Sequence, residues 1–190
     1  MNMKYYLYID EEKQKREELV NKIRTILYKE KIKRNYLDIV FLCIGTDRAT
    51  GDCFGPLVGS NLKDILEKYN IYNINIYGTL EKNISYTNIN ETIKLINKTH
   101  KNPYIIVIDA ALSKKENIGK IFIKEDKTIL GKGLNKNRIE IGNISIKGVV
   151  GKDYKIPNYN FNILQNVSLS KVLKLANIVS DGIIEAIRYY

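Results

Sequence analysis

Apolar and polar positions follow two periods along this chain, one typical of helices and one typical of buried strands. Residues 10–34 have a helical period among many charged side chains, carried by Leu19, Ile23, Ile26 and Leu27. This spacing predicts an amphipathic N-terminal helix. From Tyr36 to Gly45 the sequence is almost continuously apolar, which favours a strand covered on both faces.

The rest of the chain continues to alternate between strand and helix patterns. Pro56 suits the first turn of a helix that runs to about Tyr69. The later segments predict strands at 72–77, 104–108, 118–123 and 144–150, a helix at 91–98, a turn at 131–133 and one long closing helix at 164–190. This order predicts an α/β fold, three layers in the order α/β/α, with a mostly parallel central sheet.

The length of 190 residues favours one domain, 1–190, in which the helix at 10–34 docks on an α/β body at 36–190. No segment has the roughly 18 consecutive apolar residues that span a bilayer. The two cysteines, Cys43 and Cys53, form no disulfide framework. We therefore expect an intracellular, cytoplasmic protein that needs neither cofactor nor membrane.

The formal net charge of +10 raises the question of nucleic-acid binding. The cations are dispersed, and Lys, Asn, Ile and Tyr are all abundant, as A- and T-rich codons would produce. Without a recognition helix, zinc finger or stacking platform in the sequence, we do not expect nucleic acid as the partner. A basic module bound to DNA would instead show steep salt dependence and a single cationic face.

Two aspartates follow apolar strands and form the candidate chemistry. Asp52 lies in the polar loop 45–55 after the first central strand, and Asp109 follows the strand at 104–108. Loops at the carboxyl ends of neighbouring parallel strands meet in one crevice, where ligands tend to bind. If the carboxyls approach closely, repulsion raises one pKa, and the pair can then work as acid and base.

Structural roles compete with this interpretation. Asp52 could cap the following helix, and Asp109 could bind backbone amides of a turn at 110–117. Asp47 could pair with Arg48, whose charge would oppose a raised pKa in the dyad. From single residues these alternatives remain open.

Other mechanisms lack their residues. The loop 45–55 has neither the G-x-x-x-x-G-K-S/T nor the G-x-G-x-x-G spacing of phosphate-binding loops. His100 is the only histidine, and its position before the strand at 104–108 predicts an exposed, inert side chain away from the crevice. Without a histidine partner Cys53 is a poor nucleophile, and a serine triad is disfavoured.

Four strings resemble the sporulation protein YyaC family, which is related in fold to the spore germination protease and the hydrogenase maturation proteases. They are IGTDRATGDCFGPLVG at 44–59, YGTL at 77–80, NPYIIVIDA at 102–110 and LQN at 164–166. The resemblance covers about residues 36–187. It implies a hydrogenase-maturation-protease-like, phosphorylase-like α/β fold and a role in sporulation or germination.

The resemblance also implies site residues. In the germination protease, the two carboxylates implicated in peptide cleavage lie in segments similar to those of Asp52 and Asp109. The hydrogenase maturation proteases also use a later histidine to engage nickel, and this chain has none after His100. We therefore expect catalysis without a bound metal.

The resulting hypothesis is a spore-associated endopeptidase, a hydrolase in which Asp52 and Asp109 activate water. Gly45, Thr46, Asp47 and Arg48 would shape the substrate pocket. The expected partners are peptide or protein substrates, such as small acid-soluble spore proteins in the forespore or spore core, and an exposed apolar patch would indicate a homodimer. The alternative is a non-catalytic spore protein that binds a partner peptide in the same crevice.

Overall fold

The computed structural model describes residues 5–7, 12–33, 38–71, 74–130 and 139–188. Five helices and eight strands occupy these residues, with a short 3-10 helix at Lys115–Asn117. In chain order they are β1 (Tyr5–Leu7), α1 (Glu12–Lys33), β2 (Ile39–Cys43), α2 (Phe54–Lys68), β3 (Ile74–Tyr77), α3 (Ile89–Thr99), β4 (Tyr104–Ser113), β5 (Ile121–Lys124), β6 (Thr128–Leu130), β7 (Ile139–Ile141), β8 (Ile144–Lys152), α4 (Pro157–Asn166) and α5 (Leu169–Ile187).

Six strands form the main sheet in the order β1-β5-β8-β4-β2-β3. The pairs β2·β3, β2·β4 and β4·β8 are parallel, whereas β5 is antiparallel to both of its neighbours. The expected mostly parallel sheet is therefore confirmed. β6 and β7 form a separate two-stranded antiparallel sheet that the sequence pattern did not predict.

Helices cover both faces of the sheet. The larger core lies between the sheet and α1, α2 and α5, and the smaller core lies between the opposite face, α3 and β7. All five residues of β2 are buried, which explains their continuous apolar run. Gly182 of α5 allows the side chain of Leu19 on α1 to approach, since a Cβ there would lie 2.6 Å from the Leu19 Cδ2 atom.

The predicted positions of helices and strands are largely confirmed, with two corrections near the site. β4 continues through Asp109 to Ser113 and pairs with β8 along this extension, so Asp109 lies within a strand and not in a turn. The closing helix is two helices, because Val167 and Ser168 are extended. Asn166 and Ser168 favour such a break, since their side chains compete with helical hydrogen bonds. The predicted turn at 131–133 lies outside the described residues.

Within the described ranges, no helix has the length and apolar character needed to cross a bilayer.

Candidate active site

The loop after β2 is fixed against the sheet by backbone contacts. The Ile44 amide donates to the Ile108 carbonyl at 2.7 Å, and the Gly45 amide donates to the Ile84 carbonyl at 2.8 Å. Gly45 has a φ of 145°, and a Cβ at this position would lie 1.9 Å from the backbone oxygen of Asp52. Only glycine fits here, and this close approach holds the Asp52 backbone against the end of the strand β2.

Asp52 is partly buried beside α2 but does not cap it. The N-cap residue of α2 is Cys53, and no side chain caps that helix end by a hydrogen bond. Burial, and to a lesser extent the charge of Asp109, raises the pKa of Asp52 to about 6, and a hydrogen bond from the Thr46 amide partly opposes this rise. The capping alternative for Asp52 is therefore not supported.

Asp109 lies on β4 opposite Lys147 of β8. Its side chain is 16% exposed, and its Oδ2 lies 3.5 Å from the Lys147 Nζ. Burial raises the pKa of Asp109, although the charge of Lys147 and hydrogen bonds from Lys147 and the Ala110 amide act against it. The Ala110 contact agrees in part with the structural role considered for this residue.

The structure thus brings together the two aspartates that the sequence singled out. Each carboxyl is partly removed from water, and the charge of Asp109 acts on Asp52. Two interacting carboxyls titrate as a unit, and the pair retains a proton at a higher pH than isolated aspartates do. Such a pair can supply a base and an acid in one reaction.

Lys147 is the site residue that sequence reasoning missed. It interrupts the otherwise mostly apolar strand 144–150, and this interruption is the signal that could have revealed it. Its position depends on the register between β4 and β8, which local patterns do not give. Lys147, and not Arg48, is the cation that lowers a dyad pKa.

The predicted pocket residues lie in the same loop as Asp52. Asp47 is exposed and accepts hydrogen bonds from the Thr46 hydroxyl at 3.5 Å and from the Asn83 amide at 3.2 Å. Arg48 is also exposed, and its backbone amide donates to the Thr46 hydroxyl at 3.3 Å. Thr46, Asp47 and Arg48 therefore organise the rim of the loop.

α4 also holds this loop. The Gly51 amide donates to the Leu164 carbonyl at 2.6 Å, so the residue before Asp52 is fixed to the helix.

Cys53 follows Asp52 and is buried. Burial and the nearby charges of Asp47 and Asp52 raise the pKa of its thiol. The thiol is therefore protonated at neutral pH and is unsuited to nucleophilic attack.

His100 lies away from the dyad, as predicted, but the prediction that it is exposed was wrong. Its side chain is 7% exposed, and its Nε2 and Nδ1 atoms lie 2.9 Å from the Tyr77 hydroxyl and 3.1 Å from an Asp38 carboxylate oxygen. These two polar partners explain how a histidine can be buried here. Among the described residues, no group of three His, Cys, Asp or Glu side chains is placed to hold a metal ion.

A family model described as "Protein of unknown function (DUF1256)" matches residues 10–182. The chain belongs to this family. It is 35% identical over 161 residues to the "Uncharacterized protein YyaC" of Bacillus subtilis (strain 168), an alignment that covers 85% of this chain and 75% of that protein. The resemblance expected from the four sequence strings is thereby confirmed.

Among solved structures, the chain aligns with the crystal structure of a NiFe hydrogenase maturation protease, HycI, from Thermococcus kodakarensis KOD1. The TM-score is 0.48 at 16% sequence identity, and the alignment covers 82% of this chain and 98% of that chain.

Proposed function

We propose that this protein is a peptidase in which Asp52 and Asp109 jointly activate water for attack on a peptide bond. The observation that carries the proposal is a pair of interacting, partly buried carboxyls, in which the pKa of Asp52 is raised to about 6. Perturbed pKa values in a crevice mark candidate catalytic groups, because acid and base catalysis needs pKa values near the working pH.

The reaction starts with one proton on the pair. The ionised carboxylate accepts a proton from water while the water oxygen bonds to the carbonyl carbon of the substrate. The protonated carboxyl then donates its proton to the amide nitrogen as the C–N bond breaks. The products are a new carboxyl terminus and a new amine, and the pair again holds one proton.

Lys147 contributes by position and charge. Its ammonium lies 3.5 Å from Asp109 and favours the ionised form of that residue, which opposes the effect of burial. Without this cation, Asp109 would retain its proton to a higher pH. Lys147 is therefore a positioning residue for the dyad.

We further propose a biological setting for this activity. The resemblance to sporulation proteins supports a role in spore formation or germination, with the forespore or spore core as the proposed site and small acid-soluble spore proteins as candidate substrates. A deletion strain of a spore-forming host tests this part by spore yield and germination rate. Normal values for both in the deletion strain would remove the spore role but leave the chemistry standing.

The chemistry is tested by detecting new peptide termini. The purified protein is incubated with small acid-soluble spore proteins and with a mixture of proteome-derived peptides from pH 5 to 8, and the products are identified by mass spectrometry. We expect cleavage by the wild type and a loss of at least about 100-fold in Asp52→Asn and Asp109→Asn. Asp64→Asn, which changes an exposed aspartate on α2, is the control. Full cleavage by both folded dyad variants would refute the mechanism.

The second candidate is a non-catalytic protein that binds a peptide in this crevice. The contact between Lys147 and Asp109 favours it, because an ion pair can be a purely structural feature of a strand pair. Peptide binding with no new termini at any pH, by a protein that is folded by circular dichroism, would select this candidate.

A further inference from the structure

A concave site lies between the start of β5, the end of β8 and the first turns of α5. It encloses about 240 Å³. Sites for drug-sized ligands and cofactors measure roughly 300–1,000 Å³, so this cavity suits one or two apolar side chains better than a cofactor. Its apolar walls come from Ile118, Val149, Val150, Val167, Val172 and Leu175.

The polar side chains of the cavity are all cationic. Lys120, Lys171 and Lys174 line it, and no described lining residue is Asp or Glu. Lys120 is buried, and its Nζ is held at 2.7 Å by the Asn117 side chain, whereas Lys171 and Lys174 lie on the exposed side of α5. The Ser168 side chain does not cap the N-terminus of α5, and this helix end adds to the positive potential.

Two connections join this cavity to the dyad. Lys147, the partner of Asp109, and Val149, a wall of the cavity, are two residues apart on β8, roughly 7 Å at the rise of a strand. The loop of Asp52 is fixed to the Leu164 carbonyl on α4, and Val167 of the cavity follows three residues later. Gly148, which lies between Lys147 and Val149, faces Phe54 and Leu175, so Lys147 points to the face of the sheet opposite α5. A peptide that contacts both places therefore crosses the carboxyl end of the sheet.

Exposed apolar side chains lie on α4 and on the first turns of α5. None of the residues of α4 is buried, and Tyr159 and Phe161 are 59% and 57% exposed. Leu169 and Leu173 on α5 are 53% and 38% exposed. Leu169 and Leu173 flank the lining residues of α5, and exposed apolar side chains next to a cavity indicate a surface that contacts another polypeptide.

We propose that this lysine-rimmed cavity binds a segment of the substrate in which apolar side chains are flanked by acidic ones. The inference rests on the proposed function, since it specifies the class of peptide that the dyad would cleave. The apolar side chains enter the cavity, and the carboxylates lie against Lys171 and Lys174. The lysines at the rim favour an acidic peptide over a neutral or basic one, and the apolar walls favour its apolar side chains.

Binding of short synthetic peptides tests the proposal without requiring cleavage. Four fluorescein-labelled peptides of equal length are compared. In the parent peptide, Leu and Phe alternate with Glu. Two variants replace Glu by Gln or by Lys, and the third replaces Leu and Phe by Ser. Binding to the Asp52→Asn/Asp109→Asn protein is followed by fluorescence anisotropy. We expect the acidic apolar peptide to bind at least about 10-fold more tightly than each of the other three.

Charge reversal locates the binding. In that same background, Lys171→Glu/Lys174→Glu should raise the Kd of the acidic peptide about 10-fold and shift the preference toward the Lys peptide. The control Lys94→Glu/Lys98→Glu alters the net charge equally on exposed positions of α3, across the sheet, and should leave the Kd unchanged. Equal weakening by both double variants, or equal binding of all four peptides, would overturn the proposal.

Two further outcomes separate the proposals. Tight binding of an oligothymidylate of the same charge that is lost in Lys171→Glu/Lys174→Glu would show a nucleic-acid site and overturn the peptide assignment. If the wild type binds the acidic apolar peptide selectively but produces no new termini from it, the cavity assignment stands and the peptidase proposal fails. If cleavage depends on the dyad but ignores peptide charge, the reverse holds.

Discussion

Replacing Asp52 with asparagine should make the protein more stable at alkaline pH. The carboxylate is partly buried, and no cation is among the causes that shift its pKa. Ionisation of Asp52 therefore costs more free energy in the folded chain than in the unfolded chain. Asparagine keeps the shape of the side chain and can still accept the hydrogen bond from the Thr46 amide, but it carries no charge.

The size of the effect follows from the pKa. Folding raises the pKa of Asp52 from 3.8 to about 6, roughly two units, and each unit corresponds to about 1.4 kcal/mol. The upper limit of the gain in unfolding free energy is thus about 3 kcal/mol, and partial exposure reduces it to about 1–2 kcal/mol. Because the folded pKa is the higher one, wild-type stability falls as the pH rises from about 4 to above 6.

Urea denaturation at pH 4, 6 and 8 measures this difference. We expect Asp52→Asn and the wild type to be about equally stable at pH 4 and to differ most at pH 8. Asp47→Asn, which changes an exposed carboxylate in the same loop, provides the control for the loss of one negative charge. A difference in unfolding free energy that does not depend on pH, or a variant that is less stable at pH 8, would refute the reasoning.

Three further predictions concern neighbouring positions. Gly45→Ala should lower the unfolding free energy by at least about 3 kcal/mol, because the new Cβ would lie 1.9 Å from the Asp52 backbone oxygen. Thermal denaturation should show a large drop in Tm, and a stable variant would contradict the described loop. Lys147→Met should raise the pKa of Asp109 further. Urea denaturation should show an unfolding free energy that is lower by about 1–2 kcal/mol at pH 8 and little changed at pH 4. A decrease that does not depend on pH would count against the pairing. His100→Ala should lower the unfolding free energy by about 2–3 kcal/mol in the same assay, because a buried, hydrogen-bonded side chain is lost. Peptide cleavage should be unchanged, and a loss of cleavage in the folded variant would place His100 in the mechanism.

The sequence predicted most of the architecture because local patterns carried the necessary information. The buried strands β2 and β4 are continuous apolar runs, and α1 and α2 have helical spacing of apolar residues. The break between α4 and α5 escaped prediction because apolar residues continue at a helical period through Val167 and Leu169. Its physical signal, two small polar residues at Asn166 and Ser168, is weak beside that period.

The candidate site was only partly predictable for a different reason. The topological rule for parallel sheets placed Asp52 and Asp109 together without knowledge of any contact. The role of Lys147 required the register of β4 against β8, and the continuation of β4 past Asp109 required that pairing as well. The same limit applies to His100, whose burial depends on side chains distant in sequence, Tyr77 and Asp38.

The central claim is that Asp52 and Asp109 act as one coupled pair, and carboxyl titration by NMR on protein labelled with 13C aspartate tests it most directly. We expect the Asp52 carboxyl to titrate near pH 6 in the wild type. In Asp109→Asn its pKa should fall but stay above 3.8, because repulsion is removed while burial persists. A wild-type Asp52 that titrates near pH 4, with no change in Asp109→Asn, would contradict the account.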